Sequence, residues 1–159
     1  FAEHFLRRSF TAAGLDVRVA SAGVVPALGR AVPADWRVIA AGFGLDLGEH
    51  VPGPVGPLVE RADLVLAMTA EHARDLAVAH PALVGRLAVL GDAVERLERV
   101  NPGAATVTEA VAPHRAIELL NGVSVNEVPD PYRRRNDEQL AIAASLAGLC
   151  GRLVERWLA

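Results

Sequence analysis

Ala62-Asp63-Leu64-Val65-Leu66-Ala67-Met68-Thr69 is the stretch on which the fold turns. Its apolar run is nearly continuous instead of alternating, as expected of a parallel strand covered on both faces. Thr69 then supplies an N-cap hydroxyl for a helix over 70–79. Glu71 stands in the first turn, where the helix dipole favours a negative charge. A buried strand passing straight into a capped helix is the repeating unit of an α/β protein.

Downstream, Leu87-Ala88-Val89-Leu90 reads as a second strand and Asp92 to Val100 as a helix. Thr108 to Leu120 contains a helix interrupted by Pro113. Leu140, Ala143, Ala147, Cys150, Val154 and Trp157 recur at three- and four-residue steps, the buried stripe of a long C-terminal helix. Upstream, Phe1 to Ala13 is amphipathic and stops at Gly14. Val17 to Ser21 alternates like a short strand, and Asp35 is placed to cap a helix from Trp36 to Phe43. Leu45 to Pro57, rich in proline and glycine, reads as an ordered surface loop.

The chain has 159 residues, 52% of them hydrophobic, which is enough for one core and predicts a single domain. A formal charge of −3 gives no electrostatic case for nucleic acid or an anionic membrane. One cysteine, Cys150, excludes an intrachain disulfide and predicts a reducing, cytoplasmic setting. Its place on the helical stripe makes it a small core residue.

Chemistry is suggested by Val128-Pro129-Asp130-Pro131-Tyr132 and the Arg133-Arg134-Arg135 run behind it. Two prolines keep Asp130 out of a helix. A carboxylate held on a stiff loop beside an aromatic ring suits a general acid. The plainer reading is a proline turn that starts the last helix, with Tyr132 as its anchor.

Five segments together resemble the low-molecular-weight protein tyrosine phosphatases, a family of small cysteine phosphatases that includes some arsenate reductases. They are Phe1-Ala2-Glu3-His4-Phe5-Leu6-Arg7, Ser21-Ala22-Gly23, Gly44 to Leu47 with His50, Ala62 to Thr69 with Glu71-His72, and Val128 to Tyr132. The resemblance implies a three-layer α/β/α fold around a four-stranded parallel sheet. It also implies a C-x5-R-S/T phosphate-binding loop directly ahead of the residue matched by Phe1. On that reading the first strand, nucleophilic cysteine and phosphate-clamping arginine precede residue 1, and the 159 residues alone are inactive.

The resemblance makes Asp130 the general acid for phosphotyrosine hydrolysis through a phosphocysteine intermediate, and Tyr132 a wall beside the substrate ring. His50, with Ser21, would brace the phosphate loop. Where many relatives carry an aromatic residue after Ser-Ala-Gly, this chain has Val24 to Leu28, so Leu28 becomes an aliphatic part of the substrate wall. Arg133, near the site mouth, would favour acidic phosphopeptides. The implied partners are a phosphotyrosine protein or small aryl phosphate, with phosphate or another oxyanion as ligand. No cofactor or metal is implied. The alternatives are a thiol-dependent arsenate reductase of the same fold and a catalytically dead relative that binds phosphoproteins or a partner.

Overall fold

Val65–Ala67 forms β1 and Leu87–Val89 forms β2. They pair in parallel, with Val65 opposite Leu87, Leu66 opposite Ala88 and Ala67 opposite Val89. The computed structural model describes residues 1–24, 30–101, 106–111 and 126–159. It shows an α/β chain whose sheet, among the described residues, consists of these two strands. Two compact units are built from it, residues 1–54 with 130–154 and residues 55–129 with 155–159.

The second unit carries the sheet. All three residues of β2 are buried, as parallel pairing under helices requires. Thr69 follows β1 and caps α4 (Ala70–Ala79) as the sequence predicts, its hydroxyl accepting the His72 N–H at 3.2 Å. A four-residue helix, α3 (Pro57–Glu60), precedes the sheet, and a 3-10 segment (Pro81–Arg86) leads into β2. Neither was expected, because short turns of this kind follow from local proline placement and carry no periodic signal. α5 (Leu90–Arg99) starts two residues earlier than the sequence suggests, and α6 spans Val107–Val111. The remainder of the helix expected to run to Leu120 lies outside the described residues.

The segment 126–129 is fastened to the C-terminal edge of this sheet. Val128 N–H donates to the Met68 carbonyl at 2.9 Å, and the Glu127 carboxylate accepts the Ala70 N–H at 2.7 Å. An acidic side chain thus satisfies an orphan donor at the positive end of α4. Asn126 reaches Glu95 at 3.0 Å and lies directly over Gly91.

In the first unit, α1 (Ala2–Ala12) buries Leu6 and Phe10 and ends where Gly14, at φ +71°, turns the chain. α2 spans Ala34–Gly42 with Pro33 at its cap position. Asp35 is therefore not the cap that was expected: it sits in the first turn and accepts the N–H of Trp36 at 2.9 Å. Buried Ala40, Leu45 and Leu47 form a small core edged by Phe1, Phe5, Val32, Trp36 and Phe43. Phe1 meets the rings of Trp36 at 5.7 Å and Phe43 at 5.4 Å. Such contacts contribute roughly 0.5–1.5 kcal/mol each beyond their buried area. The Arg8 guanidinium bonds the carbonyls of Phe43 and Gly44, both at 2.8 Å, tying α1 to the end of α2.

Two further expectations need correction. Val17 to Ser21 has the alternating burial of a strand but forms none; residues 15–20 alternate half-buried and exposed without a ladder partner. The nearest pairing is an isolated parallel bridge between Gly23 and Pro54. The stripe of the C-terminal helix, α7 (Asn136–Leu158), runs through Gln139, Ile142, Ala143, Leu146, Leu149, Cys150, Leu153 and Val154. Leu140 is 53% exposed, so the stripe is rotated from the one read in the sequence. Alanines at 141, 143, 144 and 147 fit either face, which left the phase undetermined.

A Cβ on Gly91 would stand 2.3 Å from the Asn126 carbonyl oxygen and 2.8 Å from its Cγ. Gly91→Ala should destabilise the chain by about 1–3 kcal/mol, the usual cost of overpacking. Urea denaturation with an unchanged midpoint would refute that close approach.

Candidate functional site

Pro129 and Pro131 hold Asp130 extended, and its own side chain completes the turn. Asp130 Oδ1 accepts the Tyr132 N–H at 2.8 Å, and Arg134 N–H closes onto the Pro131 carbonyl at 3.2 Å. Arg133 occupies the left-handed region at φ 59°, in the turn position where glycine or asparagine is usual. This costs about 1–2 kcal/mol for a residue with a Cβ. Its guanidinium lies 5.2 Å from the Tyr132 ring centre. The other two arginines serve the loop and helix start: Arg134 Nε donates to the Asp130 carbonyl at 2.7 Å, and Arg135 pairs with Asp137.

Asp130, Tyr132 and Arg133 line one hollow of about 320 Å³, together with Pro33, Asp35, Trp36, Pro131 and Gln139. Gln139 is 3% exposed and fixes the floor. Its amide donates to Asp35 Oδ2 and to the Arg134 carbonyl, both at 3.0 Å, while its Oε1 is buried without a partner. The Gln139 hydrogen bond, followed by the Trp36 N–H, holds the Asp35 carboxyl below the ordinary carboxylate range. The hollow therefore presents two carboxyl groups, an indole and a phenol, a setting able to receive a ring or a planar cation. Asp35 and Trp36 were missed in the sequence because they come from α2, remote from the 130 loop, and Gln139 because the burial phase of α7 was misread.

His50 and Ser21 belong to a different group, around the first turn of α1. Ser21 donates its hydroxyl proton to Glu3, Arg7 pairs with the same carboxylate, and His4 Nε2 lies 3.3 Å from His50 Nδ1. Burial tends to raise the Glu3 pKa, but the Ser21 hydrogen bond and the Arg7 charge outweigh it, so the carboxyl sits below its ordinary value. Burial lowers the His4 imidazole, against the raising pull of Glu3. Glu3, the hub of this group, was visible only as one letter of a matched segment. Leu28 lies outside the described residues.

Cys150 is wholly buried, and desolvation pushes its thiol up to about 12. Cys150 and Arg156 have the spacing of C-x5-R, but both lie on α7, and Arg156 is spent on the carbonyls of Leu97 and Val100. A helix cannot wrap its N–H groups around an anion as a loop does. The motif there is a coincidence of spacing.

Residues 1–105 match the family model described as low molecular weight phosphotyrosine protein phosphatase. The chain belongs to that family. No curated protein sequence matches it. Among solved structures, a YwlE mutant from Bacillus subtilis is 25% identical, with a TM-score of 0.73 over 99% of this chain and 88% of that one. A YwlE arginine phosphatase mutant with a phosphorylated active-site serine is 26% identical, with a TM-score of 0.71 over 97% of this chain and 84% of that one. The tyrosine phosphatase Wzb from Escherichia coli K30, in complex with sulphate, is 18% identical with a TM-score of 0.68 over 97% and 85%, a likeness of fold. No helix among the described residues of this family member is long and apolar enough to cross a membrane.

Two measurements check the site chemistry. Asp35 carries a depressed carboxyl, so its stabilising contact is present above the ordinary carboxylate pKa and lost as pH falls through the folded value. Gln139→Leu should return the Asp35 titration upward toward its ordinary value, followed by carboxyl-carbon NMR; an unmoved midpoint would show that the amide does not set it. Cys150 should resist alkylation at neutral pH until denaturant is added, and rapid labelling of this thiol in the folded protein would contradict its burial.

Proposed function

We propose that the polypeptide hydrolyses phosphotyrosine in proteins or small aryl phosphates through a phosphocysteine intermediate, with Asp130 as the general acid. The observation that carries this reading is the Asp130 carboxylate, fixed by the Tyr132 N–H, on a hollow walled by the Trp36 and Tyr132 rings. A leaving phenolate needs a proton at the moment the P–O bond breaks, and a carboxylic acid held beside the ring supplies it. The same group then takes a proton from the water that attacks the phosphocysteine.

The nucleophile must be a thiolate with a lowered pKa, and Cys150 has the opposite property. The family resemblance assigns the nucleophile and the bidentate arginine to a loop ahead of Phe1, where the first N–H groups of α1 would face the phosphate. Tyr132 and Arg133 flank the substrate, and Ser21 and His50 support the loop from behind. The role of Ser21 passes through Glu3, to which it is bonded.

A second substrate is favoured by the kinship to the arginine phosphatase YwlE at 26% identity. Asp35 and Asp130 on one hollow could accept a guanidinium between two aromatic rings. Phosphoarginine hydrolysis uses the same proton donor for a nitrogen leaving group. Arsenate reduction would need a thiol relay, for which the buried Cys150 is unsuited.

In the complete polypeptide, Asp130→Asn should lower kcat on an aryl phosphate by about 10²–10⁴-fold, the usual contribution of a general acid. The loss should be greatest for poor leaving groups. An undiminished rate would remove Asp130 from the mechanism. Comparing kcat/KM for phosphotyrosine and phosphoarginine peptides assigns the substrate.

A further inference from the structure

Glu3, His4 and His50 each offer one ligand atom, and the three atoms lie within 4.8 Å of one another. We propose that this cluster is a binding site for a divalent transition ion of the Zn²⁺ type, clamping the turn that carries His50 onto the first turn of α1. The reading is independent of the substrate assignment and of Asp130.

One edge of the cluster has the length that a tetrahedral ion needs. With Zn–N bonds of about 2.0–2.1 Å at the tetrahedral angle, two imidazole nitrogens lie about 3.3–3.4 Å apart. The separation of His4 Nε2 and His50 Nδ1 is 3.3 Å, the length of that edge. The rings stand 74° apart, edge to face and not stacked. Two neutral nitrogens and one carboxylate form a donor set suited to zinc and its neighbours and poorly suited to Mg²⁺ or Ca²⁺.

The ligands are held before any ion arrives. Glu3 and His4 project from a helical turn, and Ser21 donates to Glu3 Oε2 in the manner of an outer partner that orients a ligating carboxylate. Four lone-pair positions on a carboxylate leave room for Ser21, Arg7 and an ion together. His50 ends a turn whose Leu45 and Leu47 are buried and whose Asp46 Oδ1 accepts the Gly48 N–H at 2.8 Å. His50 N–H is bonded to the Leu47 carbonyl at 3.2 Å. The cluster opens on a hollow of about 390 Å³ whose rim includes Asp46 and Glu49, giving entry and room for a water as fourth ligand.

The test titrates the complete polypeptide with Co²⁺ and Zn²⁺. Expected are one equivalent bound, the visible ligand-field band of tetrahedral Co²⁺ without a thiolate charge-transfer band, and a Tm that rises with free Zn²⁺. His4→Gln and His50→Gln should each weaken binding by more than the roughly 10–100-fold that loss of an outer partner costs, and Ser21→Ala by about that smaller factor. His72→Gln and His80→Gln should bind as the parent does, and circular dichroism confirms that each variant is folded. Failure of the parent to bind, a cobalt–thiolate spectrum, or undiminished binding by the folded His4 and His50 variants would overturn the proposal. The two imidazoles would then be a hydrogen-bonded pair only.

Discussion

A backbone hydrogen bond from the Val128 N–H to the Met68 carbonyl holds the 126–129 segment on the sheet. Met68 is the residue at which β1 has ended and α4 has not begun, so its carbonyl would otherwise face the sheet edge unpaired. Glu127 reinforces the attachment by accepting the first free N–H of α4, and Asn126 presses on Gly91, where a side chain has no space. Three consecutive residues are thus held by one strand end, one helix start and one helix surface. The chain leaves this anchorage at Pro129, with a proline on either side of Asp130 to keep the next link stiff.

The first unit is organised around a carboxylate of its own. Glu3 stands in the first turn of α1, takes a hydroxyl proton from Ser21 and pairs with Arg7 one turn on. Its neighbour His4 meets His50 from the turn after α2. Arg8, on the same helix, holds the carbonyls at the end of α2. Polar side chains of one helical turn therefore bind two separate loops, while Phe1 and Phe5 from the same helix supply the apolar contacts.

Much of the fold could be read from periodicity and punctuation. The β1–α4 unit, β2 and the first helix up to Gly14 follow from apolar runs, a threonine cap and a glycine stop, which act within a few residues of where they stand. The loop around Asp130 was legible for the same reason, because proline restricts its neighbours whatever the tertiary context. The family resemblance was legible because its short motifs are spread in order along the chain. Misreadings came where local signals were degenerate. Alanine-rich turns of α7 did not reveal which stripe was buried, and Val17 to Ser21 had the alternation of a strand without the partner that would make it one.

The sequence by itself therefore determined the α/β class, the start of α4 at Thr69, the stop of α1 before Gly14, the stiffness of the 128–132 segment and the family. These properties depend on interactions between residues a few positions apart. Only the tertiary structure decided that Asp35, Trp36 and Gln139 share a hollow with Asp130, that Glu3 joins Ser21 to Arg7, and that His4 and His50 stand a tetrahedral edge apart. Ser21 lies 18 positions from Glu3, His50 lies 46 from His4, and Gln139 lies 104 from Asp35. Contacts at such separations are set by how helices and loops pack, and no local preference in the chain encodes them.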